Sequence, residues 1–149
     1  MSENEVGVER RLISTGSPFE RAAGYSRALA QGPWCFVSGT TGYDYATMTM
    51  PEDIGAQATN ALATIERALA EAGFALADLV RVHYYIADAS FADAVFAETG
   101  RVFGTIRPAA TMVVAALIRP EMKVEIEATA LKRQIPRRAS GMYRRAGRL

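Results

Sequence analysis

KVEIEATAL, residues 123–131, alternates strictly between polar and apolar side chains from Lys123 to Ala130 and has no glycine or proline. Period-two alternation over eight residues is typical of a β-strand with one buried and one more polar face. The buried face is expected to carry Val124, Ile126, Ala128 and Ala130, and the other face Lys123, Glu125, Glu127 and Thr129.

The stretch just upstream, TMVVAALI at residues 111–118, is apolar at both parities. A strand of this kind is expected to be buried on both faces. The chain offers only two helices long enough to cover a sheet, and they can cover only one face. We therefore expect the second face to meet another subunit of a homo-oligomer.

Working outward, the remaining patterns predict one α+β domain with a mixed sheet, two helices on one face and the order βββ-α-β-α-ββ. Strands are predicted at 11–15, 25–30, 34–38 and 79–86. Apolar residues at three- and four-residue steps predict a helix over 52–72. Ser90 and Asp93 have the spacing of a capping box, which predicts a second helix from that point.

Composition and charge set the broad class. The 149 residues carry one cysteine, Cys35, and a net charge of +1. Residues 132–149 nevertheless hold seven cations and no acid, so we divide the chain into an N-terminal extension (1–9), a domain (10–131) and a basic tail (132–149). The tail is either held against the acidic body or binds a polyanion such as RNA. Because the body is acidic and the tail has one aromatic residue, we do not expect nucleic acid as the partner.

The chain shows no apolar leader, and its longest apolar run is too short to cross a bilayer, so we expect a cytoplasmic protein without a membrane partner. A single histidine, His83, and a single cysteine do not make a zinc motif. No metal and no cofactor are expected. The default for Cys35 is a buried, inert thiol, and for His83 a satisfied surface or interface residue.

Several short motifs occur in an order that resembles the Rid family, also called YjgF-like and labelled endoribonuclease L-PSP. The resemblance covers about residues 10–132 and implies a chorismate-mutase-like fold, a homotrimer and ligand clefts between subunits. Members that hydrolyse imines convert a small 2-imino acid, or its enamine, to a 2-keto acid and ammonia. The motifs are Gly24-Tyr25-Ser26, Phe36-Val37-Ser38-Gly39, Asp53-Ile54 with Gln57, Ala72-Gly73, Asp78-Leu79-Val80, Asp88 with Phe91, Pro108-Ala109 and Lys123-Val124-Glu125-Ile126-Glu127-Ala128.

The resemblance also implies site residues. Tyr25, Ser38 and Thr111 fall on positions that line the cleft, and Glu125 falls on the glutamate thought to handle the water. The arginine that holds the substrate carboxylate should follow Pro108-Ala109 directly, but this chain has Ala110 there. Losing a charged bidentate contact costs about 2–5 kcal/mol, so weak or absent activity on small 2-imino acids is expected. Glu127 is expected to be a structural partner.

Arg107 is a second arginine near the same position, and its role is open. It either enters the cleft as a substitute anchor or is a solvated loop residue, and the proline after it is expected to hold it extended. Three functions follow. The first is a metabolite-binding protein with deaminase-like hydrolysis, the second a non-enzymatic metabolite-binding module, and the third a polyanion-binding protein or ribonuclease acting through the tail.

Overall fold

The computed structural model of the protein describes residues 8–133. Most of the predicted N-terminal extension and basic tail lies outside this range. Two 3₁₀ turns, Leu76–Asp78 and Ala89–Phe91, supplement the main elements. These are β1 (Arg10–Ile13), α1 (Pro18–Ala23), β2 (Ala28–Gln31), β3 (Trp34–Thr41), α2 (Ile54–Glu71), β4 (Leu79–Ile86), α3 (Ala92–Phe103), β5 (Ala109–Val114) and β6 (Val124–Leu131).

The six strands form one mixed sheet in the order β1-β2-β3-β6-β4-β5. Only β4 and β5 run parallel, and every other neighbouring pair is antiparallel. The two long helices, α2 and α3, pack together on one face. The prediction of an α+β domain with a mixed sheet and helices on one face is confirmed.

β6 lies at the centre of the sheet between β3 and β4. Its Val124, Ile126, Ala128 and Ala130 are buried beneath the helices, and the alternate residues are half-buried. The apolar face of α2 supplies Ile65 and Leu69, both fully buried, to the same core. The alternation read from residues 123–131 is therefore the pattern that orients the strand on which the core is built.

Two boundaries before β3 differ from the predictions. The 25–30 strand begins only at Ala28, and a short helix, α1, precedes it. Ser17 caps α1 by accepting a hydrogen bond from the Phe19 N–H, and Pro18 occupies the first turn. Six residues are too few to show helical periodicity, which is why no helix was predicted before β2.

The predicted capping box at Ser90 and Asp93 is wrong. The Asp88 carboxylate instead accepts a hydrogen bond from the Ser90 N–H at 2.8 Å and starts the 3₁₀ turn. α3 then begins at Ala92 without a side-chain cap. Asp88, two residues before Ser90, therefore caps the 3₁₀ turn that leads into α3. Acidic and hydroxyl residues are typical of both kinds of cap, so the sequence did not distinguish them.

The prediction of a strand over 111–118 that is buried on both faces is also wrong for the single chain. β5 ends at Val114 and forms an edge of the sheet, where Val113 is 44% exposed and Val114 55% exposed. An apolar edge strand that its own chain leaves uncovered is a recognised interaction surface. Whether another subunit covers it stays a prediction.

The face of the sheet opposite α2 and α3, which we call the uncovered face, carries large apolar side chains. Trp34 is 40% exposed and Phe36 49% exposed, and their rings stack with centroids 6.0 Å apart. Leu12 and Val113 are exposed on the same side, one near each edge. Among residues 8–133, no helix is long and apolar enough to cross a membrane.

Candidate functional site

Tyr25 and Ser38, two of the predicted site residues, line one open pocket on the uncovered face together with Glu127. The Ser38 hydroxyl donates a hydrogen bond to the Ser26 carbonyl oxygen at 2.6 Å. Its proton is thereby engaged, so toward a ligand the hydroxyl can act only as an acceptor. The bulge in β3 between Val37 and Thr40 places Ser38 at this point of the strand.

Arg27, which the sequence reading passed over, is the central cation beside Tyr25. Its side chain is fully buried and donates to the Gly39 carbonyl oxygen at 2.7 Å and to Thr40 Oγ1 at 3.0 Å. Its guanidinium lies 3.7 Å from the buried carboxylate of Glu20. The Nε atom has no hydrogen-bond partner among the described residues.

The aromatic side chains at this site are arranged around that guanidinium. It lies 4.8 Å from the ring centroid of Tyr45 and 5.6 Å from that of Tyr25, and it also approaches the Tyr25 hydroxyl at 3.4 Å. A desolvated cation between two rings favours one orientation of each ring. Arg27 therefore helps to set the direction in which Tyr25 faces the pocket.

Strand parity would have placed Arg27 on the exposed side with Tyr25. Its side chain is nevertheless fully buried, because the Gly39 carbonyl oxygen and Thr40 at the bulge of β3 accept hydrogen bonds from its guanidinium. The one sequence signal for its burial is the acid Glu20 seven residues earlier, but that spacing brings the two side chains together only once α1 is known.

Glu125, the predicted catalytic residue, lies over the bulge of β3. Its carboxylate occupies the space in which a Cβ at residue 39 would stand, so a side chain at that position would require Glu125 to move. Burial and then the charge of Glu127 raise the pKa of the Glu125 carboxyl, and the charge of Arg27 opposes that shift. A carboxyl group with a raised pKa is better able to give and take a proton near neutrality.

Glu127, two residues along the same face, has a different environment. It accepts hydrogen bonds from the Tyr85 hydroxyl at 2.8 Å and from His83 Nδ1 at 2.9 Å. Both interactions hold the carboxylate in place as an acceptor. These contacts bear out the expectation that His83 is a satisfied residue. That Glu127 is a structural partner stays a prediction, because Glu127 also lines the first pocket.

Ala110 and Thr111 point to opposite sides of the sheet. Ala110 pairs with Val82, whose side chain is buried beneath the helices, whereas Thr111 pairs with His83 on the uncovered face. Glu125 also lies on the uncovered face, and β4 separates its strand from β5. Within one chain, then, Ala110 and Glu125 do not share a pocket, although sequence reasoning grouped them.

Ala110 lines a second pocket, of about 410 Å³, between α3 and the start of β5. Arg107 lines the same pocket, and the prediction that its backbone is extended is wrong: its φ is 52°. The residue takes this left-handed conformation because its N–H closes the end of α3 by donating to the Phe103 carbonyl oxygen at 2.9 Å. The hydrogen bond that ends the helix outweighs the usual preference of a residue before proline for an extended backbone.

No cluster of three or more histidine, cysteine, aspartate or glutamate side chains is placed to hold a metal ion within residues 8–133. The first pocket offers the Tyr25 hydroxyl, the Ser38 acceptor and the Glu127 carboxylate, and Glu125, whose carboxyl has a raised pKa, lies two residues from Glu127 on the same face of β6. These groups can bind a small polar molecule and move a proton.

Comparison with known proteins agrees with this architecture. The endoribonuclease L-PSP family model matches residues 15–132. A crystal structure of Rv2704 from Mycobacterium tuberculosis, described as a member of the YjgF/YER057c/UK114 family, superposes with a TM-score of 0.76 at 46% identity, covering 83% of this chain and 99% of that one. The uncharacterized protein SCO2049 of Streptomyces coelicolor is 30% identical over 123 residues, 82% of this chain and 92% of the relative. A 2-iminobutanoate/2-iminopropanoate deaminase of Salmonella typhimurium is 29% identical over 130 residues, 83% of this chain and 98% of the relative.

Proposed function

The chain belongs to the endoribonuclease L-PSP family, also called YjgF or Rid, and from this premise we propose that it binds a small carbonyl, imine or enamine metabolite and hydrolyses the imine. The observation that carries the proposal is the half-buried Glu125, with its raised pKa, beside the cluster of Tyr25 and Arg27. One relative is named as a deaminase of 2-iminobutanoate and 2-iminopropanoate. We place this activity in the cytoplasm.

The separation of Ala110 from Glu125 supports a cleft between subunits of a homotrimer. One subunit would contribute the uncovered face with Tyr25, Ser38 and Glu125. The neighbouring subunit would contribute its β5 edge with Ala110. The exposed apolar side chains of the uncovered face provide surface for that contact.

In the proposed reaction, water adds to the carbon of the C=N bond while Glu125 accepts the water proton. The same carboxyl group delivers that proton to the nitrogen, which gives a carbinolamine. It then carries the C–OH proton to the amine, so that the C–N bond breaks, ammonia leaves and the carbonyl forms. Proton transfer by a positioned group contributes typically about 10²–10⁴-fold to a rate. Tyr25 and Ser38 would hold the plane of the substrate, the hydroxyl of Ser38 as an acceptor.

Ala110 limits which substrates the protein handles. An alanine side chain cannot pair with a carboxylate, and the lost contact is worth about 2–5 kcal/mol. In a 2-imino acid as small as 2-iminopropionate, the carboxylate is the main group through which a protein can bind the substrate. We therefore expect weak or absent activity on such acids and better activity on larger substrates, or on those without a carboxylate.

The test generates 2-iminopropionate in situ and compares its half-life with and without the protein. We expect little acceleration by the wild-type chain. Ala110→Arg is expected to increase the rate, because it restores the guanidinium at the family position, and Glu125→Gln in that background is expected to abolish the gain. Acceleration by the wild-type protein equal to that of an arginine-bearing relative would contradict the proposal.

A non-enzymatic binding module is the second candidate. One observation favours it: the Ser38 proton and the Glu127 carboxylate are already engaged by the protein itself, so few groups remain for chemistry. A thermal-shift screen distinguishes the two functions, because stabilisation by a metabolite that is never turned over supports binding alone. The basic tail, on which a polyanion role depended, lies outside the described residues apart from Lys132 and Arg133.

A further inference from the structure

Arg27 and Glu20 form a buried ion pair beside the first pocket, and the proposed reaction leaves this pair without a role. Their side chains are 1% and 4% exposed. The Glu20 carboxylate also accepts hydrogen bonds from the Ser14 hydroxyl at 2.9 Å and from the Thr15 N–H at 3.2 Å. A buried ion pair adds little net stability, because removing two charges from water costs about as much as their attraction returns. What distinguishes this pair is its contact with the site.

Gly39, at the bulge of β3, is contacted by Arg27 and by Glu125. Arg27 Nη1 donates to the Gly39 carbonyl oxygen at 2.7 Å and to Thr40 Oγ1 at 3.0 Å. The Glu125 side chain lies over the same glycine, with its Cδ atom 2.9 Å from the point at which a Cβ would stand. Arg27 therefore holds the piece of backbone against which the Glu125 carboxyl packs.

The charges that act on Glu125 come from different segments. Burial and then the charge of Glu127 raise the pKa of the Glu125 carboxyl, and the positive charge of Arg27 lowers it. Tyr85 of β4 is opposite Glu125 in the sheet and stays neutral near pH 7, since its hydrogen bond to Glu127 raises its pKa. Thr41, the neighbour in β3, carries no charge. Arg27 thus supplies the positive charge that offsets Glu127 at this carboxyl group.

The same guanidinium determines what Tyr25 offers to a ligand. Arg27 Nη2 donates to the Tyr25 hydroxyl oxygen at 3.4 Å, and the guanidinium carbon lies 5.6 Å from the centroid of the Tyr25 ring. Because the oxygen accepts this bond, the hydroxyl proton is left for donation to a ligand. Burial raises the pKa of Tyr25, so the proton is retained near neutrality. With Ser38 as an acceptor, the first pocket presents one donor and one acceptor.

We propose that Arg27 is a positioning residue of the site: it holds the β3 bulge against which Glu125 packs, offsets the charge of Glu127 and leaves the Tyr25 proton free for the ligand. This step rests on the proposed function, in which Glu125 transfers the proton. Arg27 does not itself bind the substrate, because its side chain is fully buried and both of its terminal nitrogens are engaged within the chain.

The experiment follows the protonation of Glu125 in the full chain by ¹³C NMR of the glutamate carboxyl carbons as the pH is varied. The Glu125 signal is assigned by its absence in Glu125→Gln. Arg27→Gln alone would leave Glu20 buried without its partner and is expected to destabilise the fold. The test variant is therefore Arg27→Gln combined with Glu20→Gln. We expect the pKa of Glu125 to rise above the wild-type value, because the opposing cation is lost while Glu127 remains.

Glu98→Gln combined with Arg101→Gln is the matched control. It removes an ion pair of 2.8 Å from the exposed side of α3 with the same net change in charge, so the pKa of Glu125 should stay at the wild-type value. Arg27→Lys keeps the charge but cannot hold Gly39, Thr40 and Tyr25 with one planar group, so we expect a smaller rise than in the test variant. Thermal unfolding of each variant verifies that it is folded.

A pKa of Glu125 that stays or falls in the test variant, or that rises equally in the control, would overturn the inference. If the test variant does not fold, Arg27→Lys decides, and an unchanged pKa of Glu125 in that variant counts against the role. The titration requires no turnover. A protein in which Arg27 controls Glu125 and which hydrolyses no imine would therefore contradict the proposed hydrolysis alone.

Discussion

Glu125 and Glu127 lie two residues apart on one strand face, and their surroundings give them different roles. Glu127 is held by Tyr85 and His83, whereas Glu125 is pressed over Gly39 and has its pKa raised by burial. The alternation of residues 123–131 placed both carboxylates on the same side. It could not separate them, because the difference comes from neighbours on β3 and β4.

The raised pKa of Glu125 predicts a pH-dependent effect on stability. The folded protein disfavours the ionised carboxylate, so the free energy of unfolding falls as the pH rises from about 4, the ordinary range of a glutamate, through the raised folded value. Glu125→Gln removes this penalty. We expect the variant to gain stability relative to wild type between pH 4 and pH 7, as measured by urea denaturation at both values.

Glu127→Gln is the control on the same face. It removes the charged partner of His83 and should lower the stability at pH 7 by about 1 kcal/mol or less, because both side chains are partly exposed. If instead the wild-type protein became more stable relative to Glu125→Gln between pH 4 and pH 7, the ionised carboxylate would be favoured in the folded state and the prediction would be wrong.

At the scale of elements, the sequence predicted what depends on local repetition and missed what depends on contacts. β4 was placed at its observed bounds, and the buried face of β6 was identified residue by residue. α1 was missed because six residues are too few to show helical periodicity, and the burial of Arg27 was missed because it depends on contact with Glu20 from another segment. The backbone of Arg107 was predicted to be extended because it precedes Pro108. The hydrogen bond that ends α3 holds it in the left-handed conformation instead.

The packing of α2 against the end of β3 gives a prediction at this scale. A Cβ added at Gly42 would lie 2.6 Å from the Cα atom of Gln57, which is backbone of α2 and cannot rotate away. We expect Gly42→Ala to lower the free energy of unfolding by about 1–3 kcal/mol, the range for overpacking. The measurement is equilibrium urea denaturation.

Gly100→Ala makes the same chemical change within α3, where nothing lies within 4 Å of the new methyl group. Because alanine is the better residue in a helix interior, this variant should gain about 0.5–1 kcal/mol. Equal losses for the two variants would mean that the close approach of β3 to α2 is not what requires glycine at position 42.

At the scale of the whole molecule, the sheet is covered by helices on one face only, and the uncovered face carries Leu12, Trp34, Phe36 and Val113. Stacked, half-exposed aromatic rings are an unusual surface for an isolated chain. The sequence indicated a partner from the apolar stretch 111–118. In the structure, three of these four large apolar side chains on the uncovered face lie in β1 and β3. Nothing in the sequence indicated an interface at these strands.

This arrangement predicts that Phe36→Glu separates the subunits. A carboxylate at the centre of an apolar interface would be desolvated without a partner, whereas on a free surface it would cost little. We expect the wild-type chain to sediment as an oligomer and Phe36→Glu as a monomer at the same concentration, with Ala70→Glu, on the exposed side of α2, remaining oligomeric. If the cleft needs two chains, the Phe36→Glu monomer should also lose any turnover. The second pocket, which Ala110 lines, should persist in the monomer because one chain forms it alone. A wild-type monomer, or an oligomer that Phe36→Glu leaves intact, would remove the argument that the two halves of the site meet across subunits.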